Sequence, residues 1–340
     1  MDKIKVLVIN DEGEDIALEE SVLAEAFGTK PANLEVKYIP ATDKAAVDAA
    51  LPEAAGVITV YTEFDEAVLK NMKNCKVIAT QTIGINTIDL KAASEQGICV
   101  TNVPDYCVEE VAMHTVTLAL SAARKVTIYD RIARQKVWNV DDIYKYGQLH
   151  RLQGQTYGIV SFGNIGKRVA ALMKEFGMKV IAYDPFLPAD VFIEYGVKRA
   201  ESLEELFAAC NMISLHTPLT PKTEGMIGYD LMAKMPEGGI LINTSRGGIV
   251  KEEELARALK EGVLGAAAVD VIIDETNFES PLYEFENCII TPHVAYYSEE
   301  ALEECRIKAA RMVGDVLGRH CVPKYLVNKD VIGRTKEALA

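Results

Sequence analysis

Clustered positive charge is missing from this 340-residue chain. No Lys/Arg block occurs, and the net charge is −14. A nucleic-acid surface needs a basic face to neutralise phosphates, so DNA and RNA are not expected as partners. Aromatic residues are scarce, 7% with a single Trp, which argues against base-stacking platforms. The seven cysteines include no C-x-x-C pair, so neither a zinc site nor a dithiol redox motif is expected, and no metal is predicted. Several cysteines lie inside apolar runs such as GICV, as buried reduced thiols of an intracellular protein do. No apolar run reaches the ~18–20 residues of a membrane helix. The opening MDKIKVLVIN has no signal-peptide layout and enters a strand directly. A cytoplasmic protein without a membrane partner is the expectation.

What the chain does have is enough apolar material for large cores: 49% apolar and 25% charged residues. Single cores stop growing at about 250–300 residues, so two domains are expected. Short β-branched runs alternate with amphipathic segments. IKVLVI, LEVKYI, GVITVY, KVIATQ and ICVTNV come first, with helical stretches such as DEAVLKNMK and DLKAASEQ between them. This alternation predicts a parallel sheet with helices on both faces, in a flavodoxin-like domain. One long helix is then predicted from Val108 to about Lys136. A second βα array starts at Thr156, with strands TYGIVSF, KVIAYD, MISLHT, GILINT, AAAVDV and CIITPH. A closing helix, roughly Ser298–Leu317, and an extended tail PKYLVN complete the pattern.

The segment GIVSFGNIGKRVAALMKEFGMKVIAYDP resembles the dinucleotide fingerprint G-x-G-x-x-G with Ser161 in the first glycine's place. Gly163 allows a pyrophosphate to approach the backbone, and Gly166 allows tight helix–strand packing. The next strand ends in Asp184, about 20 residues on, where an acid accepts hydrogen bonds from ribose hydroxyls and repels an additional phosphate. NAD is therefore expected rather than NADP. A bare β–Gly–α turn occurs in many α/β proteins; it is the strand, turn, helix, second strand and terminal acid in register that favour a cofactor.

Three further features follow predicted strands, where ligands bind in open α/β sheets. Arg246, in INTSRGG, can grip a carboxylate bidentately or serve a salt bridge. AAAVDVIIDE places Asp270 at a strand end and Glu275 in the loop beyond, where an acid is ordinarily just solvated. His293, in CIITPHVAYYSEEA, follows a buried strand and alone would read as a packed histidine. Together, Arg246, Glu275 and His293 form the set that 2-oxo acid reduction needs: a cation for the carboxylate, a proton donor titrating near neutrality, and a carboxylate to orient it.

From about Lys3 to Val331 the chain resembles the NAD-dependent D-isomer-specific 2-hydroxyacid dehydrogenases. The resemblance is carried by QTIGINTIDLKAASEQGICVTNVP, VEEVAMHTVTLAL, GIVSFGNIG with AYDP, SLHTPLTPKTEGMIG, INTSRGGIVKEEELARAL, GAAAVDV and TPHVAYYSEEA, in order and at the family's spacing. It implies two doubly wound parallel-sheet domains, a Rossmann NAD-binding domain at 104–293 inserted into a flavodoxin-like substrate domain at 1–103 and 294–340. It also implies a homodimer paired through the cofactor domain. The catalytic Arg, Glu and His fall on Arg246, Glu275 and His293, and the nicotinamide-side Asp on Asp270. Asn164, Ile165, Thr217, Pro218, Thr223, Thr244 and Ser245 match cofactor-contact positions. In the substrate loop, where the family reads R-x-G-x-G, this chain has Thr80-Gln81-Thr82-Ile83-Gly84, so Thr82 replaces a glycine. The N–H groups of Ile83 and Gly84 are expected to bind the substrate carboxylate. Relatives that oxidise 3-phosphoglycerate carry Arg after the third strand; Val60 and Tyr61 stand there, which lowers that substrate. VPDYCVEEVAMHT and TPHVAYYSEEA look most like the branch containing the C-terminal-binding corepressors, which makes an NADH-sensing binding protein the rival reading. Tyr296, in place of that branch's Trp, is expected to cover the substrate's side chain.

Overall fold

The computed structural model describes residues 3–11, 13–28, 33–139, 141 and 144–334. The chain divides into two compact domains: residues 1–106 joined by 298–340, and the continuous stretch 107–297 inserted between them. Both are α/β and wholly parallel in their sheets, as the alternating pattern predicts.

The discontinuous domain holds five strands, β1 (Ile4–Asn10), β2 (Leu34–Pro40), β3 (Gly56–Thr59), β4 (Val77–Thr80) and β5 (Cys99–Thr101). Their order, β2-β1-β3-β4-β5, is that of flavodoxin. Every residue of β3 and β4 is buried, because helices cover both faces. The helix Glu299–Leu317 returns from the far end of the sequence to cover one of them. Ser298 caps it, its Oγ accepting the Ala301 N–H at 2.9 Å. It approaches so closely that a Cβ on Gly314 would lie 2.5 Å from Ala26 Cβ. A buried ion pair ties it to the helix Ala17–Ala26: Glu19, 0% exposed, accepts Arg306 Nε and Nη2, both at 2.7 Å. The tail then closes the sheet's β5 edge. Leu326 bridges antiparallel to Thr101, and buried Asn328 accepts the Val100 N–H at 2.8 Å and donates to the Ile98 carbonyl at 2.9 Å.

The inserted domain holds β6 (Thr156–Val160), β7 (Lys179–Tyr183), β8 (Lys198–Arg199), β9 (Met212–Leu215), β10 (Gly239–Asn243), β11 (Leu264–Val269) and β12 (Cys288–Ile290). The order is β12-β11-β10-β9-β6-β7-β8, the doubly wound arrangement with its switch point between β6 and β9. The two-residue β8 is absent from the sequence reading. The long helix expected from Val108 to about Lys136 is two helices, Val108–Arg124 and Val126–Arg134. Lys125 breaks it by entering the left-handed region at φ 53°, where its N–H closes the first helix on the Ala122 carbonyl.

Candidate active site

All seven strands of the inserted sheet run the same way, so their carboxyl ends line one edge. Along that edge stand the turn after β6, then Thr217 after β9, Thr244 to Arg246 after β10, Asp270 after β11, and Thr291 and His293 after β12. Asp184 follows β7 on the other side of the first turn.

That first turn is shaped for a backbone ligand. Ser161 sits at φ 71°, a left-handed setting that costs a non-glycine residue roughly 1–2 kcal/mol. This explains why glycine suits the position. Gly163 caps the helix Asn164–Glu175, which has no side-chain cap on its first-turn N–H groups. A Cβ there would meet no described atom within 4 Å, so the space beside the turn is open. At Gly166 the reverse holds: a Cβ would lie 2.5 Å from the Ser161 carbonyl oxygen. Exposed Asn164 and half-buried Ile165 open the helix. Asp184, 7% exposed, is engaged within the chain: Oδ2 accepts the Phe162 N–H at 2.9 Å and the Ser161 hydroxyl at 3.3 Å, and Oδ1 accepts the Phe186 N–H at 3.0 Å. The acid thus holds the turn, in addition to the ribose role read from its position.

After β9, Thr223 donates its hydroxyl to the Pro218 carbonyl at 2.7 Å and folds the loop back on Thr217 and Pro218. After β10, Thr244 shares a 2.8 Å hydrogen bond with Thr115, and Ser245 donates to the Leu215 carbonyl at 2.5 Å. Arg246 follows in extended conformation, and its own carbonyl accepts the Asn243 amide at 2.9 Å. Gly247 behind it is obligatory, since a Cβ would run into the Ile272 carbonyl. The Arg246 guanidinium donates to the Ser245 carbonyl at 2.6 Å and enters no ion pair among the described residues. Its charge is therefore not consumed by a structural salt bridge.

His293 and Glu275 are brought together: Nδ1 lies 2.8 Å from Glu275 Oε2. With Nδ1 on the carboxylate, the other ring nitrogen is the one left to face a substrate. The Tyr296 ring stands edge-on to the imidazole, centroids 6.3 Å apart. His293 occupies the left-handed region at φ 54°. Asp270, 1% exposed, lies against this turn and accepts hydrogen bonds from Thr291 Oγ1 at 2.5 Å, Val294 N at 3.0 Å and Ala295 N at 2.9 Å. Burial pushes its pKa up, but the bonds from His114, Thr291 and these two N–H groups outweigh burial, and the carboxyl sits below its ordinary 3.8. His114 belongs to this cluster, and the sequence reading missed it. Nothing in VAMHTVT marks it beyond a histidine on a helix.

In the other domain, exposed Tyr61 follows β3, and the loop Thr82-Ile83-Gly84 follows β4. The Thr82 hydroxyl donates to the Gly84 carbonyl at 2.6 Å, and Asn102 donates to the Ile83 carbonyl at 2.6 Å. The N–H groups of Ile83 and Gly84 have no acceptor among the described residues.

Residues 116–295 match the family model for the D-isomer specific 2-hydroxyacid dehydrogenase, NAD binding domain. The chain belongs to the D-isomer specific 2-hydroxyacid dehydrogenase family. It is 34% identical over 285 residues to the glyoxylate reductase of Thermococcus litoralis, covering 82% of this chain and 85% of that protein. It is 36% identical over 261 residues to the D-3-phosphoglycerate dehydrogenase of Methanocaldococcus jannaschii, covering 77% of this chain and 49% of that protein. The chain spans about half the length of the curated D-3-phosphoglycerate dehydrogenases it matches. Among solved structures, the D-lactate dehydrogenase of Aquifex aeolicus, complexed with NAD and lactic acid, aligns with a TM-score of 0.77 and 31% identity, over 91% of this chain and 94% of that one. Membership makes the inserted domain an NAD-binding domain, and the open space at Gly163 fits that cofactor. Among the described residues, no helix is long and apolar enough to cross a membrane.

Proposed function

We propose that the chain is an NAD(H)-dependent oxidoreductase interconverting a small D-2-hydroxy acid and its 2-oxo acid. NAD(H) supplies the hydride acceptor or donor. The chain supplies everything else. Arg246 binds the substrate carboxylate and polarises the carbonyl, a role supported by a guanidinium with no carboxylate partner among the described residues. His293 gives the carbonyl oxygen its proton on reduction and takes it back on oxidation. Glu275 holds the ring by Nδ1 and so fixes its orientation. The 2.8 Å His293–Glu275 contact is the observation that carries this reading. Gly163, Asn164, Ile165 and Gly166 hold the pyrophosphate, Asp184 the adenosine ribose, and Thr217, Pro218, Thr223, Thr244, Ser245 and Asp270 the remainder of the cofactor. Ile83 and Gly84 offer free N–H groups to the carboxylate, with Thr82, Tyr61 and Tyr296 shaping the rest of the substrate site. The discontinuous domain acts as the substrate domain and the inserted domain as the cofactor domain. A cytoplasmic homodimer with no nucleic-acid or membrane partner completes the reading.

The test is NADH consumption against a panel of 2-oxo acids: glyoxylate, hydroxypyruvate, pyruvate, and branched, aromatic and dicarboxylic members. Turnover of at least one is expected. Tight NADH binding with no turnover across the panel would replace this reading with the NADH-sensing one. The D-3-phosphoglycerate dehydrogenases among the relatives favour a second substrate, but Val60 and Tyr61 provide no cation for its phosphate. Ready oxidation of 3-phosphoglycerate would reverse that ranking.

A further inference from the structure

The His293 turn is strained, and something must hold it. A histidine at φ 54° brings its Cβ too close to the backbone carbonyl and persists only where surrounding bonds over-determine it. The His293 N–H has a local acceptor in the Thr291 carbonyl at 3.0 Å, and the remaining bonds on residues 293–295 converge on Asp270. Its backbone carbonyl accepts the His293 N–H at 2.8 Å, and its carboxylate accepts the next two N–H groups, Val294 on Oδ1 and Ala295 on Oδ2. One residue thus grips three consecutive amides of the turn that presents the imidazole.

Asp270 is gripped in its turn. Thr291 Oγ1 lies 2.5 Å from Oδ1. A hydroxyl has one proton, and a carboxylate can only accept, so Thr291 donates to Asp270 and its oxygen is left to accept. The neighbour it accepts from is His114 Nε2, at 3.0 Å, with the same nitrogen 3.5 Å from Asp270 Oδ1. The order of donation is fixed: His114 Nε2–H donates to Thr291, Thr291 O–H donates to Asp270, and Asp270 also accepts the N–H groups of residues 293–295. His114 comes from the helix Val108–Arg124, a different element from the β11 and β12 ends it joins. Without that helix-borne donor, the carboxylate would be held by the segment after β12 alone.

We propose that His114 is a positioning residue: acting through Thr291, it fixes Asp270 on the amides of residues 293–295 and so keeps His293 in its Glu275-bound setting. This rests on His293 being the proton donor of the proposed reaction. His114 itself touches no reacting atom.

The test uses the full chain and four variants: H114F, which keeps a ring but no donor; H114Q, whose amide can still donate; T291V, which removes the bridging hydroxyl; and the H114F/T291V double. Two readouts are taken. The first is steady-state reduction of the best 2-oxo acid. H114F and T291V are expected to lower kcat roughly 10–100-fold, as a small displacement of a catalytic group does. KM for NADH is expected to stay within about twofold, H114Q to recover most of the loss, and the double variant to be no worse than either single, because both break one chain of bonds. The second is amide hydrogen exchange without substrate. The N–H groups of 293–295 are expected to exchange faster in H114F and T291V, with β10 and β11 unchanged, and to return to normal in H114Q. H114Q behaving like H114F would make the role one of packing and overturn the proposal. Unaltered exchange at 293–295 in both H114F and T291V would overturn it equally. If the unsubstituted chain turned over no 2-oxo acid, the proposed function would fail on its own, and the exchange readout would still decide whether His114 anchors the turn.

Discussion

The two domains share one architecture and put their buried charge to different ends. In the inserted domain, ionisable groups gather at the carboxyl edge of the sheet: Asp184, Arg246, Asp270, Glu275 and His293. Two of them, Asp184 and Asp270, are buried there and satisfied by N–H and O–H donors rather than by cations. In the discontinuous domain the candidate substrate residues after β3 and β4, Tyr61, Thr82, Ile83 and Gly84, are all uncharged, and acids such as Asp11 and Glu63 in its strand-end loops are exposed or half-buried. That domain's fully buried acid, Glu19, lies between two helices and is paired with Arg306. A charge in a helix interface ties two elements together, whereas a charge at the carboxyl edge of the sheet stands where a ligand would bind. The comparison teaches that burial alone does not mark a functional carboxylate; what its partners are, and which edge it stands on, does.

Substitutions can break this contrast, and the largest effect should come from the inserted domain. His293→Ala is expected to reduce kcat about 10²–10⁴-fold while leaving the thermal midpoint nearly unchanged; steady-state kinetics beside calorimetry reads both. A near-wild-type rate would remove the chemical role from that edge. Glu19→Ala should do the opposite. Leaving Arg306 without its buried partner is expected to cost about 3 kcal/mol in denaturant unfolding, with kcat preserved where the protein remains folded. A large kcat loss at full stability would blur the division. Asp270 sharpens the contrast through pH. Its folded pKa is depressed, so its contribution is fully present above the unfolded value, near pH 4, and is lost as pH falls through the folded one. Asp270→Asn is therefore expected to flatten the fall in unfolding free energy as pH drops below about 4, and an unchanged slope would contradict the assignment. The smallest effect should be Thr82→Gly, which removes one hydroxyl bonded to the Gly84 carbonyl. KM for the 2-oxo acid should move about two- to tenfold with kcat constant.

Much of this was legible in the chain because parallel strands buried on both faces must be continuous apolar runs, and residues just beyond such runs reach the ligand edge. That logic located Gly163, Arg246, Asp270 and His293 on one edge, and the observed sheet puts them there. It missed β8, because two residues carry no periodicity. It ran one helix through Lys125, because helical spacing continues past a residue whose left-handed setting is decided by the packing of the turn. It also missed His114 and the Glu19–Arg306 pair. Each joins elements far apart in sequence, and neither side chain departs from an ordinary helical pattern. Ser161 was legible as a substitution; that it sits at φ 71° and donates to Asp184 needed the coordinates.

The insertion of one domain within the other carries a consequence for how the molecule is made. Residues 107–297 leave the ribosome as a complete unit, whereas the first sheet cannot cover its β3–β4 face until the helix Glu299–Leu317 has been synthesised. Its contacts with that helix, such as Arg306 with Glu19, span nearly the whole chain and carry a long loop-closure cost, which slows folding. The interrupted domain is thus the late-maturing one, with an apolar sheet face awaiting a single helix. Chaperone capture and aggregation during synthesis should concentrate there, and slow translation near codon 300 would lengthen the exposure.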